Sequence, residues 1–370
     1  MNPLQLNDFA NMPNMKFTTK ILTLILFVSA ICGCKKPNEI PEKPTTETPT
    51  NYNFNNVNLT TQMVKVKLLD SLLFIINAAE ATGKTITADQ LTKIFKNEGS
   101  YLKSKASLED TTQFENAQLL AWFNLLPNLS GKGDSSFIDE EGNYLPALIE
   151  KKVMGSIFYN YALNRNLILL ETKDNTVFRK DTGTAMEHSL DEAFGYFGAP
   201  MKFESNTTHK SLLSRKDVSS FMIIAAKVDS TYLSFTSSPT NFTHDIYNGF
   251  VKGRDAISKN QIYPALLERD KISQSWERLI AASAAKNIEE LKTCFTGNNG
   301  VKSICRSKKW SELKGTIEML QYNRNNRLDQ PGDGNSSYSR VISLIGAKSS
   351  EANIESLEEA KKILASVYGF

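Results

Sequence analysis

The chain has few of the residues that most often carry enzyme chemistry. In 370 residues there are three histidines and four cysteines. His188, His209 and His244 lie in different segments, and none forms the H-E-x-x-H pair of a zinc peptidase. There is no G-x-S-x-G elbow, which removes that type of serine hydrolase. No dinucleotide fingerprint is present, and the GKGDSS run from Gly131 lacks the spacing of a phosphate-binding loop. A strong excess of one charge is also missing. Lysine and arginine number 43 against 40 acidic residues, a formal charge of +3. That balance argues against nucleic acid as a partner, which would need a basic stripe. No catalytic residue can be assigned from the sequence.

What is present is a globular composition, 41% hydrophobic and 22% charged. This is enough for a large core in one or two domains. The N-terminus reads differently. Lys16 and Lys20 form a basic region ahead of Ile21 to Ala30, an apolar stretch too short to span a membrane. Ile31-Cys32-Gly33-Cys34 then resembles a bacterial lipobox. The resemblance implies cleavage before Cys34 and lipidation there, so residues 1–33 read as a lipoprotein signal peptide. The alternative is an ordinary secretory signal. Met1 to Asn14 makes the start over-long, and Met12 or Met15 could be the initiator. Residues 34–53 are rich in Pro, Thr and Glu, and read as a disordered tether.

With Cys32 removed and Cys34 lipidated, Cys294 and Cys305 remain. An oxidising envelope would allow them to pair, with Gly297 to Gly300 turning the chain between them. Two buried free thiols are the other reading.

Helical spacing dominates the rest. Leu59 to Gly83 has apolar residues on a helical period and a glycine stop. Thr87 to Gln90 is a capping-box pattern ahead of Leu91, Ile94 and Phe95. Gln113 to Leu126 predicts a third helix, stopped by Pro127. Leu145 to Asn164 predicts a fourth, with Pro146 in its first turn. Phe242–Lys259, Pro264–Lys292, Ser307–Asn323 and Ile354–Tyr368 follow. Val218–Ala226 and Tyr232–Phe235 could be helix turns or short strands. Asp329 to Asn335 partly resembles a calcium loop without the closing glutamate, and reads better as a solvated turn. The fold class expected is mainly α, a multi-helix bundle over residues 54–370.

One stretch stands out, Thr184 to Gly198. Thr184 and Glu187 form a T-x-x-E capping box. His188, Asp191 and Glu192 follow at offsets of three and four, so both carboxylates can flank the imidazole. The three could bind Fe or Zn, given ligands from another helix. Arg254 or Glu312 could lie nearby. The competing reading is structural: Glu187 caps, the acids favour the helix N-terminus, and His188 is a core histidine.

MEHSLDEAFGYFG, from Met186 to Gly198, resembles the MEHxWDEAFGYFG signature of the lipoprotein family called domain of unknown function 4856. Further landmarks agree in order: YNF (Tyr52–Phe54), KxxMGSIFYN (Lys151–Asn160), KGRDAI (Lys252–Ile257), WERLIAASA (Trp276–Ala284), WSELKG (Trp310–Gly315) and YGF (Tyr368–Phe370). Ser189 and Leu190 stand where the family usually has His and Trp. The resemblance implies a helical, distantly imelysin-like envelope lipoprotein. His188-x-x-Asp191 is echoed by Lys309-x-x-Glu312, so two related helical halves are an open alternative. Family members tend to be encoded with imelysin-type proteins and outer-membrane receptors. With the lipobox, the resemblance implies a lipid-anchored protein of the outer membrane, on its periplasmic or its surface face, and the context implies a binding or accessory role in iron or haem acquisition, with Fe, Zn or haem as the ligand. The alternative is a docking lipoprotein that partners an outer-membrane receptor and binds no small molecule.

Overall fold

The computed structural model describes residues 47–109, 112–204, 207–231, 240–295, 299–329 and 336–370. The signal segment, most of the tether, Tyr232–Phe235 and most of the calcium-like loop lie outside the described residues. So do the turn residues 296–298.

All the regular elements of the described chain are helices, and no strand is present among the described residues. In order the helices are α1 Thr60–Thr82, α2 Ala88–Lys96, α3 Gln113–Leu129, α4 Leu145–Val153, α5 Ala185–Phe197 and α6 His209–Leu212. Then come α7 Ser220–Asp229, α8 Phe242–Ser258, α9 Ile262–Thr293, α10 Asn299–Met319, α11 Ser337–Ile345 and α12 Ile354–Tyr368. Residues from Glu47 to Phe370 form one compact unit. Among the described residues no helix is long and apolar enough to cross a membrane.

The 32-residue α9 is the axis of this unit. At 1.5 Å per residue it is about 48 Å long. Its alanines Ala281, Ala282, Ala284 and Ala285 are fully buried, which lets α8, α10 and α12 approach closely. Trp276, midway along α9, is enclosed by Phe197, Phe221 and Tyr159, with ring centroids 5.0, 5.0 and 5.7 Å away. Trp310 on α10 is equally buried and donates its indole N–H to Ile345 O at 2.8 Å. The Trp310 indole thus combines a large apolar area with a satisfied polar atom, whereas the Trp276 indole N–H is buried without a hydrogen-bond partner.

Three elements differ from the sequence reading. Pro127 does not stop α3, which runs on to Leu129, a buried residue. A proline removes one N–H from the ladder, a cost that is small in a last turn whose apolar face is still packing. The fourth helix is α-helical only to Val153, and then widens into two π-helical stretches, Met154–Tyr159 and Tyr161–Leu167. Gly155, the second residue of the first stretch, sits at a close approach: a Cβ there would lie 2.7 Å from the Tyr322 ring. The third difference concerns the tether. The compact unit starts at Glu47, and Tyr52, assigned to the tether, is fully buried in the core. Its backbone N–H lies 3.0 Å from Met201 O and 2.9 Å from the Tyr247 hydroxyl.

Cys294 closes α9 and Cys305 lies in the second turn of α10. They are joined by a disulfide with a Cα–Cα distance of 5.5 Å.

Candidate functional site

The motif helix α5 starts as its sequence requires. Thr184 Oγ1 accepts the Glu187 N–H at 3.1 Å, and Glu187 Oε2 accepts the Thr184 N–H at 2.9 Å. This is a complete capping box. The helix ends at Gly198 with φ +79°, where a Cβ would lie 2.4 Å from Ser219 O. Glycine is required there by both backbone and space.

Between these ends the helix sorts its charged residues onto two faces. Glu187 and Asp191, one turn apart, point into the protein. There they meet Arg254 of α8, which is 1% exposed. Arg254 Nη1 donates to Glu187 Oε1 at 2.5 Å, and Nε donates to Asp191 Oδ1 at 3.0 Å. Nη1 also donates to the Ser258 hydroxyl, and Nη2 to Asn55 O at 3.4 Å. Ser258 in turn donates to Glu187 Oε1 at 2.9 Å. Glu187 therefore caps with one oxygen and takes the guanidinium with the other.

Tyr52 closes the cluster from the N-terminal side. Its hydroxyl donates to Asp191 Oδ1 at 2.6 Å, and its ring stacks on Phe194 with centroids 3.7 Å apart. Phe54 lies edge-on to Tyr52 and beneath the guanidinium, whose central carbon is 5.1 Å from the Phe54 centroid. Burial pushes the Tyr52 hydroxyl well above its ordinary range, so it stays a donor.

One guanidinium faces two carboxylates here, and Asp191 carries the surplus. Burial pushes its carboxyl up to about 6. The Arg254 charge and the hydrogen bonds from Tyr52 and Arg254 oppose the rise, and Glu187 adds to it. Asp191 Oδ2 is buried without a hydrogen-bond partner. A proton on that oxygen would relieve the charge imbalance.

His188 and Glu192 occupy the other face, about one-third exposed. His188 Nε2 is 3.8 Å from Glu192 Oε1, which also accepts from Gln62 Nε2 of α1 at 2.9 Å. The ligand set His188, Asp191 and Glu192 read from the sequence is therefore divided. Offsets of three and four can flank an imidazole, but the buried face passes through Glu187, Asp191 and Phe194 and takes Asp191 away. Arg254 is a direct neighbour, as a counter-ion and not as support for a metal. Glu312 pairs elsewhere, with Lys309 at 3.2 Å. The echo of His188-x-x-Asp191 in Lys309-x-x-Glu312 thus joins a buried acid to one 38% exposed. Among the described residues no group of three or more His, Cys, Asp and Glu could hold a metal ion.

Sequence reading missed Tyr52, Tyr247 and Ser258 as members of this cluster. Tyr52 and Arg254 do fall within the YNF and KGRDAI landmarks, which is the signal that could have joined them. It also missed a second convergence. His209 and His244 meet with ring centroids 6.1 Å apart, and their Nδ1 atoms lie 3.2 and 3.3 Å from the Thr243 hydroxyl. Asp229 Oδ2 is 3.8 Å from His209 Nδ1, but that carboxylate already caps α8 through the Phe242 and Thr243 N–H groups.

A family model described as Domain of unknown function (DUF4856) matches residues 43–341. The chain belongs to this family. The match begins ahead of Tyr52 and runs through α5 and α8, so it takes in the whole charge cluster of this DUF4856 chain. No functionally curated protein and no solved structure matches it.

Proposed function

We propose that this is a non-catalytic, lipid-anchored envelope protein that serves an iron- or haem-acquisition apparatus as an accessory, docking on an outer-membrane receptor or an imelysin-type lipoprotein. The observation that carries the structural half of this reading is the closure of the motif. Arg254, Tyr52, Ser258 and the capping box take up the inward carboxylate oxygens except Asp191 Oδ2. The motif helix is then a structural keystone, and the family signature marks a way of packing rather than a reaction. The anchoring half rests on Lys16, Lys20, the apolar stretch and the lipobox ending at Cys34. The acquisition class rests on the company that family members keep.

Two measurements test it. The purified chain is titrated with Fe(II), Fe(III), Zn(II) and haem, beside His188→Ala and Glu192→Gln. Any uptake should be the same in all three proteins. A stoichiometric metal lost from both variants would restore the metal centre and overturn the keystone reading. In cells, Cys34→Ala should move the protein from the membrane to the soluble envelope fraction. It should also fail to restore growth of a deletion strain on haem as sole iron source. Unchanged fractionation would defeat the anchoring, and normal growth of the deletion strain would defeat the acquisition role.

A further inference from the structure

Away from the motif helix, a polar pocket of about 700 Å³ opens between α9 and the turn after α10. That volume suits a small molecule. Glu277 of α9 lines it and is 3% exposed. Its carboxylate fixes the facing wall: Oε1 accepts the Arg327 N–H at 2.7 Å and the Tyr368 hydroxyl at 2.8 Å, and Oε2 accepts from Asn323 Nδ2 at 2.8 Å. Asn164 holds the same wall from behind. It donates to Tyr322 O at 2.5 Å, and its side-chain and backbone oxygens accept from Arg324 at 3.3 and 3.2 Å. Asn164 belongs to the second π-helical stretch, and Ile168, immediately after that stretch, lines the pocket. Wide turns of this kind are rare and recur at functional sites. Residues 323–327 are therefore fixed in place before any ligand arrives.

Two arginines line the pocket, in different states. Arg269 is occupied by Asp270 at 2.8 Å and Glu171 at 3.5 Å. Arg327 makes no ion pair among the described residues. Its guanidinium carbon lies 5.6 Å from the centroid of the Tyr368 ring, which Glu277 holds by the hydroxyl. A fork of donors held this way is ready for a carboxylate. The exposed amides of Gln274 and Asn325 also line the pocket. Overall it carries three carboxylates against two guanidiniums. A plain anion would meet that surplus, and a plain cation would leave Arg327 unused.

We propose that this pocket binds a small zwitterion, a free amino acid, with its carboxylate on Arg327 and its ammonium toward Glu277. The ligand's two charges then match a guanidinium that has no ion pair among the described residues and the surplus carboxylate of Glu277.

The test uses the full-length chain purified in detergent, with the twenty free amino acids as probes in calorimetry and thermal unfolding. At least one should bind saturably at millimolar concentration or below and raise the melting temperature. Analogues of that amino acid lacking either the amino or the carboxyl group should bind about tenfold more weakly or worse. Arg327→Gln should weaken binding by about tenfold or more, with Arg327→Lys in between. Should Arg327→Gln fold poorly, Asn325→Asp changes an exposed residue only and sets a like charge beside the ligand carboxylate, so it should weaken binding too. The proposal is overturned if no amino acid binds, if binding survives both Arg327→Gln and Asn325→Asp, or if one of the single-charge analogues binds as tightly as the zwitterion.

Discussion

Arg254→Met is the most searching perturbation of the motif cluster. The replacement keeps much of the volume and removes the charge. It leaves Glu187 and Asp191 facing each other, with Tyr52, Ser258 and the Thr184 N–H as remaining donors. Breaking a buried pair in this way costs about 3–5 kcal/mol, because the uncompensated charge stays inside. The cost should depend on pH. The Asp191 carboxyl is raised from its ordinary 3.8 to about 6 in the folded protein. Its contribution is therefore fully present below the ordinary value and is lost as pH rises through about 6. At ~1.36 kcal/mol for each pKa unit the wild-type protein loses about 3 kcal/mol over that window. Without Arg254 the largest opposing influence is gone, and the carboxyl rises further. The variant then keeps losing stability above pH 6, where the wild type has levelled off. Urea unfolding at pH 5.0, 6.0 and 7.5 reads this directly: the gap between the two proteins should widen from the first to the last. A gap below about 1 kcal/mol, or the same gap at all three values, would refute the charge-cluster reasoning. Adding Glu187→Gln and Asp191→Asn to Arg254→Met should recover much of the loss at pH 7.5, since no buried charge is then left unpaired.

Other consequences follow from single contacts. Asp191→Asn alone should flatten the fall in stability between pH 4 and 6.5, which a series of unfolding midpoints checks; an unchanged slope would place the titration elsewhere. Tyr52→Phe should cost about 1.5–3 kcal/mol through the lost bond to a charged acceptor, and Tyr52→Ala about 3–5 kcal/mol, both by urea denaturation. If Tyr52→Ala were as stable as wild type, Tyr52 would belong with the tether after all. Gly155→Ala should destabilise by about 1–3 kcal/mol despite its better helix propensity, because of the Tyr322 ring. Cys305→Ser should lower stability by about 3 kcal/mol for the short loop that it opens, seen as a lower melting temperature under non-reducing conditions.

The helical architecture was legible because apolar residues recur with a strong period over long segments, and α1, α5, α8, α9 and α12 lie close to where that period puts them. The capping box at Thr184 was legible because both of its partners are local. What was not legible depends on partners remote in sequence. Nothing near Leu145–Asn164 announces that its ladder widens after Val153, or that the neighbour packed against Gly155 is Tyr322, far along the chain. The division of His188, Asp191 and Glu192 between two faces depends on where α8 lies. So does the choice of Asp191, rather than Glu192, as the buried acid. Tyr52 sits in a stretch whose composition is that of a tether, and composition could not show that one aromatic ring leaves it for the core. Ser336 to Ile345 follows a turn-rich run that obscures its short apolar period, yet α11 is capped by the Ser336 hydroxyl and buries Val341 and Ile345.

The burial of Tyr52 has a mechanical consequence. Under the anchoring proposed above, every tug on the N-terminus would pass through the first residues that hold fast. Here those are residues 51–55. Asn51 accepts the Phe203 N–H, Tyr52 is stacked on Phe194 and bonded to Asp191, and Asn55 accepts from Arg254. Load would therefore enter beside α5 and α8, at buried side chains, and not through a fraying end. Traction on the N-terminus would have to extract an aromatic ring and break a charge-assisted hydrogen bond before α1 began to peel, so its helices would stay folded under a load that unravels a frayed end.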